Sequence, residues 1–176
     1  MIERIAVIGA GTMGHGIAHV FAMHGYQVNL YEAFDQVREA VLGQIREELN
    51  FLAEEDYIEK DRVEDTLSRI TLYGELAPAV READFVIEAI PEQLELKKEL
   101  FAQLDRLCPA HTVFASNTSS IPLGQMIEDL PDHRKAHAMV CHWYNPHHLI
   151  PIAELSCFGN MDENVLQQLY DLLVRA

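Results

Sequence analysis

Basic residues are scarce in this chain of 176 residues: thirteen lysines and arginines stand against twenty-eight aspartates and glutamates, a formal net charge of −15 at pH 7. Such a surface repels phosphate backbones and anionic headgroups, so no nucleic acid and no membrane is expected as a partner. Cysteine is scarce too. Cys108, Cys141 and Cys157 are odd in number and irregularly spaced, which predicts reduced thiols in a cytoplasmic compartment. No apolar run approaches the roughly 20 residues of a membrane span. The start, MIERIAVIG, lacks signal-peptide architecture. Internal repeats and low-complexity segments are also missing. What remains is 49% apolar and 23% charged, ordinary for one globular domain with a real core.

Short apolar runs alternate with helical patterns along the chain. IAVIGAG (5–11) suits a strand buried on both faces. Met13, Ile17, Val20 and Phe21 then recur at helical spacing until Gly25 stops the helix. YQVNLYE (26–32) is a second strand, followed by a long helix marked by Val37, Val41, Ile45, Leu49 and Leu52. A shorter helical piece is expected around 61–68. Further strands are expected at 70–74, 84–90, 112–117, 136–143 and 150–158, with helices over 94–107 and 122–129. Asp162 caps a last helix through Leu173. The alternation predicts an α/β fold, a Rossmann-type doubly wound, mostly parallel sheet.

Between the first strand and helix lies GAGTMG. Gly9 allows the tight turn, Gly11 admits a pyrophosphate, and Gly14 lets the helix pack closely on the strand. Thr12 and Met13 complete the loop, whose free N–H groups at the helix start bind phosphates. Glu32 stands at the end of the second strand, where a ribose-binding carboxylate belongs. It would accept from the 2′ and 3′ hydroxyls and repel a 2′-phosphate. The nearest arginine, Arg38, is more than a helical turn away along the sequence. NAD is therefore the expected cofactor, over NADP.

Three later segments, IEAIPEQLELKKELF (87–101), FASNTSS (114–120) and CHWYNPHHLIPIAEL (141–155), follow VIGAGTMGHGIA in order. Together they resemble the N-terminal, NAD-binding domain of the L-3-hydroxyacyl-CoA dehydrogenase family, over essentially the whole chain. The resemblance implies that His142 is the catalytic base and Glu154 its partner, and that Ser119 contacts the substrate oxygen. It also implies that Glu92, Lys97 and Asn117 lie by the cofactor. The implied substrate is a small 3-hydroxyacyl molecule, and the implied assembly is a homodimer through a C-terminal helical domain.

The chemistry agrees with these assignments. Oxidising a secondary alcohol removes the hydroxyl proton as hydride leaves the same carbon, and histidine suits the proton step near neutral pH. A carboxylate on its other ring nitrogen fixes the tautomer and stabilises the imidazolium. His142 ends one strand and Glu154 lies in the next, so a hairpin-like return would bring them together. His147 and His148 are loop residues on this reading, expected to line the substrate mouth. No metal site is expected, because the spacings of His137, His142, His147 and His148 fit no common ligand pattern.

Two departures from the family pattern stand out. The resemblance implies serine and lysine contacts to CoA on the long second helix, but Glu48 and Glu55 fall there instead. The segment NPHHLIPIAEL is equally similar to relatives that oxidise free hydroxy acids, such as L-gulonate and carnitine dehydrogenases. Acyl-CoA and free-acid substrates both stay open. The end, LYDLLVRA, stops inside a helical pattern without a cap, which predicts an NAD-binding domain (1–176) cut from a longer enzyme. The alternative is a non-catalytic NAD-binding or sensing module.

Overall fold

The computed structural model describes residues 2–157 and 161–176. Its elements follow in the order β1 (Arg4–Ile8), α1 (Thr12–Met23), β2 (Gln27–Tyr31), α2 (Asp35–Glu54), α3 (Arg62–Ser68), β3 (Ile70–Tyr73) and α4 (Leu76–Val80). Then come β4 (Phe85–Glu88), α5 (Leu94–Leu107), β5 (Val113–Ser116), α6 (Leu123–Met126), α7 (Asp132–Lys135), β6 (Ala138–Trp143), β7 (Ala153–Ser156) and α8 (Glu163–Arg175). One sheet takes the order β3-β2-β1-β4-β5-β6-β7. Every pairing is parallel except β6 with β7. That is the doubly wound order 3-2-1-4-5-6 with one antiparallel strand added at the edge.

The apolar runs are strands because both sheet faces are covered. Ile5 and Val7 of β1 pack with α1, α2 and α8 residues, whereas Ala6 and Ile8 pack with residues of α4, α5 and α6. On the first face Phe21 meets Phe85 and Trp143 edge-on. Helix α2 buries Val41, Ile45, Leu49 and Leu52 as its spacing predicts, while Val37 stays exposed. Helix α1 ends at Met23, and Gly25 takes φ +93° just beyond it. The Asp162 side chain accepts from the Asn164 backbone N–H and caps α8.

The short elements depart most from expectation. α4 and α7 are helices that the sequence reading leaves unassigned, and the helix expected over 122–129 is the single turn α6. Such pieces have too few residues for any period to show. The last strand is shorter than 150–158, and Phe158 lies outside the described residues. All three cysteines are unpaired; burial pushes the Cys108 and Cys141 thiols up to about 12 and leaves them inert at neutral pH. Among the described residues, no helix is long and apolar enough to cross a membrane.

The tightest packing lies at the β1–α1 turn. Gly9 has φ +98°, and a Cβ there would stand 2.9 Å from the Ala89 carbonyl oxygen. At Gly14 a Cβ would stand 1.7 Å from the Gly9 oxygen. Gly14→Ala is expected to destabilise the fold by about 3 kcal/mol, because backbone must move to admit the methyl. Gly43, in α2 with open space around it, should behave oppositely: Gly43→Ala is expected to stabilise by about 0.5–1 kcal/mol. Urea denaturation of both variants measures the contrast.

Candidate active site

The turn closed by Gly9 delivers Gly11 as the residue that opens α1. The first-turn N–H groups of a helix have no intrahelical acceptors and carry the positive end of its dipole. A Cβ built on Gly11 meets nothing within 4 Å, unlike those on Gly9 and Gly14. The loop is thus crowded at its two packing glycines and open at the one facing the crevice between β1 and β4. That is the shape a pyrophosphate needs.

Glu32 closes one side of this crevice. It is buried, and its two oxygens accept from the Ala10 and Phe34 N–H groups, each at 2.9 Å. Those bonds hold the carboxylate beside the glycine loop. Arg38 is nearer than its place in the sequence suggests: α2 turns its guanidinium back onto the Glu32 carbonyl at 2.8 Å. The same guanidinium pairs with Asp35, so its charge is already committed.

The other side is built around a buried ion network. Lys97 of α5 is 1% exposed and contacts Glu88 at 2.5 Å and Glu92 at 3.2 Å. Ser116 donates to the second oxygen of Glu88 at 2.5 Å. Glu92 accepts from the Thr118 and Ser120 hydroxyls. Burial alone would raise the Glu92 carboxyl; the bonds from Thr118, Ser120 and Lys97 outweigh it and hold it at about 2. Lys97 is no solvated helix residue. Glu88 escaped the sequence reading, although an acid ending the apolar strand FVIE was its signal.

Past this network, β5 ends at Ser116, and Asn117 follows. Its side-chain oxygen accepts from the Trp143 N–H at 2.8 Å, linking β5 to β6. Strands β6 and β7 place His142 directly opposite Glu154, with Nδ1 and Oε2 3.1 Å apart. Hydrogen bonds from His142 and then Tyr144 lower the Glu154 carboxyl, so it stays ionised at neutral pH. A carboxylate accepts, so Nδ1 carries the proton in the neutral imidazole and Nε2 keeps its lone pair. Met13, Glu92, Lys97, Asn117, Ser119 and His142 all line one cleft of about 250 Å³. Thr12 lies exposed one residue before Met13. Most of the sequence-derived candidates therefore converge on the carboxyl edge of the sheet, with the glycines and Glu32 on its cofactor side.

One expectation needs correcting, and one gains detail. His147 is buried, pressed against Gly16 and 6.2 Å from the Trp143 ring, so it does not line a substrate mouth. Burial, with His19 and His15 nearby, pushes it down to about 4. Glu48 keeps the negative charge expected of it, and it faces His15 and His19 of α1. Burial alone would raise its carboxyl; those two histidines hold it well below the usual carboxylate range.

The opening at Gly11 can be tested without turnover. NADH fluorescence titration should show saturable binding, weakened at least tenfold by Gly11→Val, which fills the open space and leaves packing intact. A preference for NADH over NADPH of about ten- to a hundredfold, roughly 1–3 kcal/mol, is expected from Glu32. Equal affinities would remove Glu32 from the ribose.

Residues 4–176 match the family described as "3-hydroxyacyl-CoA dehydrogenase, NAD binding domain". The chain is 34% identical to 3-hydroxyadipyl-CoA dehydrogenase of Escherichia coli K12, over 97% of this chain and 35% of that protein. It is 33% identical to the mitochondrial hydroxyacyl-coenzyme A dehydrogenase of Sus scrofa, over 97% of this chain and 55% of that one. The crystal structure of 3-hydroxybutyryl-CoA dehydrogenase from E. coli K12 superposes with a TM-score of 0.93 at 34% identity, over 99% of this chain and 36% of the other. The chain thus spans about a third to a half of these relatives. It belongs to the 3-hydroxyacyl-CoA dehydrogenase family, as an NAD-binding domain.

Proposed function

We propose that this domain serves an oxidoreductase that transfers hydride between NAD and the hydroxyl-bearing carbon of a small 3-hydroxyacyl substrate. The observation that carries the reading is the single cleft shared by His142, Ser119, Asn117 and the Lys97–Glu92 pair, with Met13 at its cofactor end. Bound NAD supplies the hydride acceptor. The helix start at Gly11 and the Glu32 carboxylate hold its two halves of charge and ribose. His142 takes the hydroxyl proton on Nε2, and Glu154 keeps the ring oriented and balances the imidazolium. Ser119, exposed at the cleft wall, donates to the substrate oxygen. Lys97 and Glu92, paired at 3.2 Å, would help hold the nicotinamide end of the cofactor.

A non-catalytic sensor would need no His142–Glu154 pair, and the pair weighs against that reading. A cytoplasmic location fits three unpaired thiols. Homodimerisation through a helical domain belongs to the whole protein and rests on the family resemblance. Turnover of 3-hydroxybutyryl-CoA against free 3-hydroxybutyrate decides between the substrate classes.

In the full-length protein, His142→Gln is expected to lower kcat/KM for alcohol oxidation by about 10²- to 10⁴-fold, with NADH affinity nearly unchanged. Glu154→Gln should also slow oxidation. An unaltered rate in His142→Gln means the base lies elsewhere. An unaltered rate in Glu154→Gln detaches the glutamate from the pair.

A further inference from the structure

A second cluster of chemistry-bearing side chains lies outside the cleft. His15 and His19 are four residues apart on one face of α1. Glu48 reaches them from α2: Oε1 is 2.8 Å from His15 Nε2, and Oε2 is 3.0 Å from His19 Nδ1. The loop between β6 and β7 brings His148 over His19, with ring centroids 5.2 Å apart. One donor atom from each of His19, Glu48 and His148 lies within 4.8 Å of the others.

Hydrogen bonding alone does not satisfy this cluster. His19 is fully buried, yet its Nε2 has no partner. The neighbouring His147 is 3% exposed, and its Nε2 has none either. A buried polar atom left unmatched is costly, so this corner of the fold holds more polar side chains than its own hydrogen bonds satisfy. His15 is meanwhile tethered from behind, its Nδ1 2.9 Å from the Gly11 carbonyl oxygen. That places it to orient Glu48 through a hydrogen bond, the usual task of a residue standing just outside a metal's own ligands.

We propose that His19, Glu48 and His148 form a binding site for a divalent transition-metal ion, of which zinc suits the donors best. Two imidazole nitrogens and one carboxylate oxygen select zinc-like ions over magnesium or calcium, which prefer all-oxygen shells. Donors at 2.0–2.1 Å from one ion stand about 3.0–3.5 Å apart, and the 3.0 Å between Glu48 Oε2 and His19 Nδ1 already meets this, which makes Nδ1 the ligating nitrogen. The half-buried His148, on a loop, closes the remaining gap by side-chain rotation. Three protein ligands leave a fourth position for water or an anionic oxygen. A bound ion would join α1 to the loop that follows the catalytic strand β6. The histidine spacing over 137–148 does not reveal this set, because two of its ligands come from α1 and α2.

Tag-free chain, stripped with chelator and dialysed against zinc near neutral pH, should retain about one zinc per chain by elemental analysis. Excess magnesium should not displace it. Loading with cobalt(II) should give the visible absorption of a nitrogen-ligated site. Glu48→Gln and His148→Ala should each reduce zinc retention and apparent affinity by about tenfold or more, whereas exposed His133→Ala should not. His148 is half-buried on a loop, so its variant is expected to fold even if Glu48→Gln does not; circular dichroism checks both. Wild-type chain that retains no zinc overturns the proposal. Zinc retention unchanged in His148→Ala overturns it too, and so does an equal loss in His133→Ala.

Discussion

The carboxyl edge of the sheet depends on how closely α1 lies against β1. Gly14 rests on the Gly9 carbonyl with no room for a methyl group, and Gly9 rests on the Ala89 carbonyl at the end of β4. These contacts clamp the helix start between the two central strands, where the strand order reverses. The first-turn N–H groups face the crevice because packing leaves the helix nowhere else to point. Glu32 then locks the loop from the β2 side through the Ala10 N–H. The cofactor crevice is a consequence of packing before it is a device for binding.

The opposite wall follows another logic. Taking the Lys97 ammonium and the Glu88 carboxylate out of water costs several kcal/mol each, and their attraction roughly offsets that cost. The pair therefore adds little net stability. Its value is positional. Glu88 ends β4, Ser116 ends β5, Lys97 comes from α5, and Glu92 reaches into the loop of Thr118 and Ser120. An apolar cluster of similar volume would fill the space without setting the rotation of each group. The network thus fixes the loop that presents Asn117 and Ser119.

What the sequence made legible was whatever is local. The glycine loop, Glu32 and the long helices are encoded by spacing over a few residues, and they stand where that spacing puts them. The topology followed from the alternation of strand and helix. Harder to read was anything assembled from distant segments. Arg38 lies six residues from Glu32 but folds back onto its carbonyl. Lys97 looks solvated on a helix bearing Glu95, Lys98 and Glu99, and only the sheet edge buries it. The meeting of His19, Glu48 and His148 needs the packing angle of α1 on α2, which no linear pattern records. α4 and α7 are a single turn or so each, and Pro78 inside α4 argues locally against a helix.

The pairing of His142 with Glu154 is a matter of register. Residues directly opposed in an antiparallel pair point to the same face, so the carboxylate reaches the ring only if β7 is aligned to the residue. A slip by one position would turn Glu154 to the other side of the sheet. β7 is a four-residue edge strand, which holds its register weakly by itself. The connecting loop supplies the constraint. His147 is buried against Gly16, where a Cβ would stand 2.2 Å from its Nδ1, and His148 stacks on His19. Both anchors sit on α1, the helix that also carries the glycine loop. The histidine-rich stretch therefore divides its labour: His142 stands at the cleft beside Glu154, and the two histidines after the turn tie its strand to α1. A change at Gly16, which does not itself line the cleft, would reach the His142–Glu154 pair through that loop.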